Sequence, residues 1–183
     1  MEIIQDNLRK EAIMEKNVPL EIERKYLIKF PDLKEMSKMD GFKSSEIVQT
    51  YLISECGETR RVRARETNGI KVYTKTEKIR ISDITHIENE SELTENEYKE
   101  ALKERDTSLN EVLKTRKCFD YEGHTIEIDI YPFWDNVAIM EVELKSEDEE
   151  ILFPDFIQII REVTHEKAFK NRKIAERIPD LNL

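Results

Sequence analysis

Strict alternation of isoleucine with polar residues marks the stretch Thr125-Ile126-Glu127-Ile128-Asp129-Ile130-Tyr131. Successive side chains of a β-strand point to opposite faces, so this stretch predicts a strand with isoleucine on one face and carboxylates on the other. Met140-Glu141-Val142-Glu143-Leu144-Lys145 repeats the pattern. The sequence therefore predicts an antiparallel sheet with one buried and one charged face. The carboxylates that share the charged face are Glu127, Asp129, Glu141 and Glu143.

Like-signed charges recur at the same two-residue spacing on two earlier stretches, residues 21–28 and 59–66. Taken alone, each charged face fits the solvated side of an ordinary antiparallel sheet. Like charges on one face of a sheet are unfavourable, however, unless a shared ligand neutralises them. Their recurrence favours a sheet that closes with the charged faces inward. The side chains that share a face are Glu21, Glu23 and Lys25 on the first stretch and Arg61, Arg63 and Arg65 on the second.

Short strands joined by hairpin-length connections account for most of the remaining chain. Asn68-Gly69 is a strong signal for a two-residue hairpin turn. About eight strands in all predict a mainly β fold, a closed eight-stranded antiparallel β-barrel with a few short helices. We expect an N-terminal arm over residues 1–18 and one barrel domain over residues 19–183. Further strands are expected at 47–54, 70–76 and 109–121, helices at 31–39, 153–163 and 167–177, a solvated connection at 77–94, and either a strand or a helix at 95–102.

The composition limits the classes of function. Charged residues make up 38% of the 183 residues, against about 25% in an average globular protein. The net charge of −10 and the pI near 5.0 argue against non-specific nucleic-acid binding, which needs a basic surface. The sequence has no apolar run of the length of a membrane span. Because Cys56 and Cys118 fit neither a metal site nor a disulfide framework, we expect a reduced, cytoplasmic protein.

A lumen lined by both signs of charge suits a metal–polyphosphate complex. Carboxylates are the ligands that hard divalent cations such as Mg²⁺ and Mn²⁺ prefer. Arginine and lysine side chains match the oxygens of phosphate groups. The histidines, His86, His124 and His165, are scattered along the chain and form no acid–base constellation. We therefore expect a small-molecule polyphosphate bound together with a divalent cation.

An ordered set of charged motifs resembles the CYTH superfamily, the triphosphate tunnel metalloenzymes. Glu21-Ile22-Glu23-Arg24-Lys25 matches the ExExK signature of that family. ExExK alone is a weak signal in a charge-rich chain, but the later motifs follow in the family's order over residues 19–176. These motifs are the basic pair Arg63 and Arg65, Lys75, Glu97, the KxR triplet Lys114-Thr115-Arg116, the two acidic stretches quoted above, and Lys167, Lys170 and Asn171 after Val163-Thr164.

The resemblance implies a closed tunnel and a metal-dependent reaction on a triphosphate-containing substrate, and the EIERKYLI form of the signature looks most like short bacterial inorganic triphosphatases. The catalytic charges that it implies are Glu21, Glu23, Lys25, Arg63, Arg65, Lys114 and Arg116. The phosphate contacts are Lys25, Arg61, Arg63, Arg65, Lys75, Lys114, Arg116, Lys167 and Lys170. The ligands for Mg²⁺ or Mn²⁺ are Glu21, Glu23, Glu97, Glu127, Asp129, Glu141 and Glu143.

Three departures from the family pattern leave other functions open. Lys99 stands where relatives often carry a second acid, Tyr73 where a threonine is frequent, and His165-Glu166 where a small or acidic pair is usual. Within the family, ATP cyclisation by a class IV adenylyl cyclase and thiamine-triphosphate hydrolysis are alternatives. A non-catalytic polyphosphate- or nucleotide-binding protein is a third, which Lys99 favours if it disrupts the metal site. The outward apolar faces need covering, by helices or by a second subunit in a homodimer.

Overall fold

The computed structural model describes residues 20–55, 58–82 and 85–181, so the arm expected over residues 1–18 and Cys56 lie outside the described residues. Within them the chain forms mostly strands. The strands are β1 (Leu20–Lys29), β2 (Lys43–Leu52), β3 (Glu58–Thr67), β4 (Ile70–Arg80), β5 (Thr85–Leu93), β6 (Val112–Tyr121), β7 (His124–Ile130), β8 (Val137–Leu144) and β9 (Ile159–Glu162). The helices are α1 (Leu33–Met36), α2 (Glu95–Ala101) and α3 (Asn171–Glu176), with 3₁₀ turns at Leu102–Glu104 and Lys167–Phe169.

Eight of these strands close into a barrel. In the order β1–β8–β7–β6–β2–β3–β4–β5, each strand pairs antiparallel with the next, and pairing of β5 with β1 closes the ring. Strand β5 covers one edge of β1 only at residues 20–22, and β9 pairs with β1 at residues 26–28. The closed eight-stranded antiparallel barrel predicted from the sequence is confirmed.

The hairpin between β3 and β4 fixes which residues of β4 face the lumen. Asn68 (φ 51°) and Gly69 (φ 78°) form a two-residue turn in the left-handed region, which matches the twist of the flanking strands. Thr67 therefore pairs with Ile70, and every later pair follows from this register. Since cross-strand partners share a face, the even-numbered residues of β4 lie on the same side as Arg61, Arg63 and Arg65.

The apolar faces of the strands are covered outside the lumen. Ile126 and Ile128 of β7 are fully buried, and they pack with Met36 of α1 and with Ile157. On the other side of the barrel, Tyr98 of α2 packs on outward residues of β2 and β3. Burial of these faces leaves the charged faces inward, as the parity of the strands predicts.

One end of the lumen is filled by an apolar cluster. Leu27 and Ile139 share the inward parity of the charged residues on β1 and β8, and they pack with Phe169 and Ile174 of the C-terminal segment. The C-terminal segment therefore borders the charged cavity. Its predicted helix over 167–177 is observed as a 3₁₀ turn followed by α3.

Two segments differ from the sequence-based expectation. The solvated connection expected at 77–94 is instead the end of β4 and the whole of β5, the strand that closes the barrel. The prediction of a helix at 153–163 is wrong, because residues 159–162 form β9 against the edge of β1. Residues 95–102, left open as strand or helix, contain α2. In the described part of the chain, no helix combines the length and apolar character needed to cross a membrane.

Candidate functional site

A charged cavity of about 400 Å³ occupies the barrel lumen. Apart from Asn171 of α3, its lining consists of ionisable side chains, six of them basic and seven acidic. The cavity therefore holds no net excess of positive charge with which to bind a polyanion unaided. The basic residues are Lys25, Arg61, Arg63, Arg65, Lys78 and Arg116, and the acidic residues are Glu21, Glu23, Glu88, Glu90, Glu127, Glu141 and Glu143.

Arg116 on β6 is the centre of one ion-pair network. The β6–β7 register places it directly opposite Asp129. Its Nε donates to Oδ1 of Asp129 (2.6 Å) and its Nη2 to Oε2 of Glu141 (2.6 Å), and Nη1 donates to Glu127. These charge-assisted hydrogen bonds fix the guanidinium against one wall of the lumen.

Two buried lysines complete this network. Lys25 pairs with Glu141, directly opposite on β8, and Lys114 pairs with Asp129. Burial opposes ionisation of Glu141 and Asp129, but the adjacent cations, Arg116 among them, outweigh it and lower the pKa of both acids. Protein cations therefore already balance these two carboxylates. Their predicted binding of a metal would have to compete with these ion pairs.

Lys78 on β4 is the centre of a second network on the opposite wall. It pairs with Glu21, with Glu88 at 3.1 Å and with Glu23 at 3.7 Å. Arg61 also donates to Glu88, from Nη2 to Oε1 at 3.0 Å. Burial raises the pKa of Glu21 to about 7, although Lys78 acts in the other direction.

Glu143 is an acid of the lumen for which no ion pair occurs within the described residues. It lies directly opposite Glu23 on β1. Partial burial, together with the neighbouring Glu127 and Glu23, raises its pKa. Facing carboxylates of this kind are the oxygen ligands that Mg²⁺ and Mn²⁺ prefer. The donor set thus fits a divalent cation, although among the described residues no group of three acidic, histidine or cysteine side chains is already arranged to hold one.

Arg63 on β3 is a buried cation without a carboxylate partner in the described structure. It is 8% exposed, and it donates from Nη2 to Oε1 of Gln49 at 3.3 Å. Its Nε and the Oγ1 of Thr74, directly opposite on β4, are buried without a hydrogen-bond partner. Burial, with Arg61 and Arg116 nearby, lowers the pKa of Arg63 to about 10, so it is protonated at neutral pH. A bound anion would satisfy these donors.

A second, more basic cavity of about 280 Å³ adjoins the first at the C-terminal segment. The two share Lys25, Arg61 and Lys78, so they are continuous. Lys167 and Lys170, predicted as phosphate contacts, line the second cavity. Its other basic lining residues outside the shared set are Arg80, Arg172 and Lys173.

The structure does not bring Lys75 and Glu97 into the lumen, which corrects both predictions. Lys75 lies opposite Val62 on the outer face of the hairpin and pairs with Glu77 at 3.0 Å. Glu97 lies on α2, outside the barrel, where its Oε2 accepts from the backbone N of Thr94 (2.7 Å) in a capping box. Neither side chain faces the cavity.

The three departures from the family pattern also lie outside the lumen. Lys99 is exposed on α2 and pairs with Glu95 at 2.6 Å. The Tyr73 ring packs against Tyr98. His165 is exposed. The residue that favoured a non-catalytic binding protein therefore does not disturb the charged site.

Sequence reasoning missed several lumen residues on β4 and β5. Lys78 and Thr74 lie on the inward face of β4, and Glu88 and Glu90 on that of β5. The two-residue turn at residues 68–69 was the available signal, because counting pairs outward from it puts Thr74 opposite Arg63 and Lys75 on the outer face. No comparable signal marks β5.

Together, the fold and site define a closed β-tunnel lined by acidic and basic side chains that form ion pairs with one another. A model of the CYTH domain matches residues 19–177, and the chain belongs to this family. Two crystal structures of NE1496 are 25% identical to this chain in sequence, and each aligns with 87% of it. The one described as the inorganic triphosphatase NE1496 is covered over 97% of its own length with a TM-score of 0.52. The other is covered over 99% with a TM-score of 0.53.

The fold recurs in PH1819 from Pyrococcus horikoshii OT3. That structure aligns with 70% of this chain and 81% of its own at 24% identity, with a TM-score of 0.53. Among curated proteins, no significant match to the chain was found.

Proposed function

We propose that the protein is a metal-dependent hydrolase of triphosphate-containing substrates, with inorganic triphosphate as its preferred substrate. The observation that carries this proposal is Arg63, a buried arginine that has no carboxylate partner in the described structure and whose Nε faces no acceptor. The similarity to the inorganic triphosphatase NE1496 supports the choice of substrate.

The arginines of β3 bind the phosphate oxygens in this proposal. Arg63 and Arg65 contact the substrate through guanidinium groups that match phosphate geometry. Arg116 and Lys25 contribute from the opposite side, where their ion pairs with Glu141 hold them in fixed positions. Fixed cations stabilise the charge that develops on phosphate oxygens during transfer, because they need no reorganisation at that moment.

The acidic wall, formed by the inward carboxylates of the adjacent strands β1, β7 and β8, would hold Mg²⁺ or Mn²⁺ through Glu143 together with Glu23 and Glu127, with Glu21 beside them. Glu23 and Glu127 would exchange part of their ion pairing with Lys78 and Arg116 for the cation. When bound there, the cation would supply the positive charge that the lumen lacks for a highly charged anion. The same wall offers carboxylates that can orient a water molecule towards the terminal phosphate and accept its proton. Lys114, predicted as a phosphate contact, and Asp129, predicted as a metal ligand, are buried and do not line the cavity, so in this proposal they act indirectly. Asp129 pairs with Lys114 and positions Arg116 from beneath.

The proposal is tested by incubating the purified chain with Mg²⁺ or Mn²⁺ and, in separate reactions, inorganic triphosphate, ATP and thiamine triphosphate. We expect phosphate and pyrophosphate from inorganic triphosphate, at a higher kcat/KM than from ATP or thiamine triphosphate. Cyclic AMP with pyrophosphate from ATP would instead establish an adenylyl cyclase. Tight binding of triphosphate without turnover would overturn catalysis and leave a binding protein.

A cytoplasmic location and a homodimer stay predictions from the sequence.

A further inference from the structure

Gln49 on β2 is a fully buried amide that faces the lumen. The β2–β3 register places it directly opposite Arg63. Its Oε1 accepts from Nη2 of Arg63 (3.3 Å), and its Nε2 donates to the hydroxyl of Tyr51 (2.8 Å). Because a guanidinium only donates, the amide oxygen must face Arg63, which leaves Nε2 to donate to the Tyr51 hydroxyl.

A neutral partner distinguishes Arg63 from Lys25, Lys78 and Arg116. Each of these three cations has a carboxylate directly opposite on a neighbouring strand and forms an ion pair with it. A carboxylate accepts two parallel hydrogen bonds from a guanidinium and balances its charge, whereas an amide oxygen accepts without doing so. The cation–carboxylate pairs are Lys25 with Glu141, Arg116 with Asp129, and Lys78 with Glu88.

We propose that Gln49 is a positioning residue that anchors Arg63 without neutralising it, so that the arginine stays available to an anion. This inference rests on the proposed function, in which that anion is the substrate. The anchor continues to the C-terminal segment, because the guanidinium of Arg172 lies over the Tyr51 ring, 5.8 Å from its centroid. Arg63 is thus held at Nη2, while its Nε is without a protein partner in the described structure.

Two substitutions at this position separate positioning from structural support. Gln49→Glu places a carboxylate against Arg63, whereas Gln49→Met removes both hydrogen bonds at similar volume. Lys43→Gln, exposed on the same strand, changes the net charge by the same amount as Gln49→Glu and serves as the control. The ligand is the imido-bridged, non-hydrolysable analogue of inorganic triphosphate with Mg²⁺, titrated calorimetrically. Thermal unfolding without ligand is measured for each variant.

Binding affinity and unfolding temperature should rank Gln49→Glu and Gln49→Met in opposite orders. We expect Gln49→Glu to weaken binding by about 10- to 100-fold, the equivalent of one charge-assisted contact, with an unfolding temperature equal to or above wild type. Gln49→Met should weaken binding less but unfold at a lower temperature, because Arg63 and Tyr51 lose a buried partner. Lys43→Gln should match wild type in both measurements.

Purely structural support predicts one order for both measurements, with Gln49→Met the worse variant in each. That result, or wild-type affinity in Gln49→Glu, would overturn the positioning role while leaving the proposed function standing. A wild-type protein that fails to bind the analogue would contradict the proposed function, and the role of Gln49 with it.

Discussion

Arg63 and Lys75 show how much depends on which face of a strand a cation occupies. The two residues lie on adjacent strands of one hairpin, yet Arg63 faces the lumen and Lys75 faces outward. We expect Arg63→Met to lower kcat/KM for inorganic triphosphate by about 10²–10³-fold, the usual cost of losing one preorganised donor. Its free energy of unfolding should change little, since removal of a buried and unbalanced charge offsets the lost hydrogen bond to Gln49. Lys75→Met is the matched control and should keep wild-type kinetics. Equal rates in the two variants would refute the assignment of Arg63.

Glu143 and Asp129 lie on the same inward surface but differ in their partners. Glu143→Gln removes a carboxylate without an ion-pair partner in the described structure, so we expect a higher Mg²⁺ concentration for half-maximal activity and no loss of stability. Asp129→Asn leaves Lys114 and Arg116 short of a buried counter-charge, which should lower the free energy of unfolding by about 3–5 kcal/mol. Urea unfolding and Mg²⁺ titration of the rate measure the two effects. A shift in Mg²⁺ requirement confined to Asp129→Asn would reverse these roles.

Helix α2 is an outer element whose role is to cover the barrel wall. It begins with a capping box between Thr94 and Glu97, and its Tyr98 packs on Leu52 and Val62. Thr94→Ala should lower the free energy of unfolding by about 1 kcal/mol, the typical cost of a lost N-cap, without changing the rate. Glu97→Gln keeps a side chain that can complete the capping box. We expect it to leave both stability and Mg²⁺ dependence unchanged, whereas a metal ligand at this position would show a raised Mg²⁺ requirement.

Strand parity explains which elements the sequence could predict. Apolar and charged residues alternate along β1, β3, β7 and β8. The predicted charged face of each of these strands points into the lumen. Most of β5 offers no such contrast, because Glu88, Asn89, Glu90, Ser91 and Glu92 are polar on both faces. The inward face of β5 is charged because it lines the site, and its outer face there is solvated. A period-2 search cannot detect such a strand.

The misassigned helix at 153–163 has a non-local cause. Its apolar spacing suited a helix, but β5 covers only the first residues of the β1 edge, and residues 26–28 remain to be paired. Residues 159–162 supply that partner as β9. The competing interaction comes from a strand more than a hundred residues away, so no local pattern in 153–163 could reveal it.

Closure of the barrel forces the lumen carboxylates together. On an open sheet their side chains could turn into water, but in this lumen seven acids face six cations within one cavity. The chain as a whole carries a net charge of −10, so the surrounding field does not relieve this repulsion. A divalent cation that binds the folded barrel and not the unfolded chain should therefore stabilise the fold.

At 100 times its dissociation constant, such an ion contributes about 2.7 kcal/mol. For a domain of this size that corresponds to a rise in unfolding temperature of about 5–10 °C between chelator-treated and Mg²⁺-saturated protein. Calorimetry in KCl of equal ionic strength separates this effect from general screening, which acts on the surface charges of any acidic protein. Glu143→Gln should lose most of the Mg²⁺-specific rise while keeping the response to KCl. An equal response to KCl and Mg²⁺ in the wild-type protein would show that no cation site forms in the empty lumen, and the metal would then have to enter with the substrate.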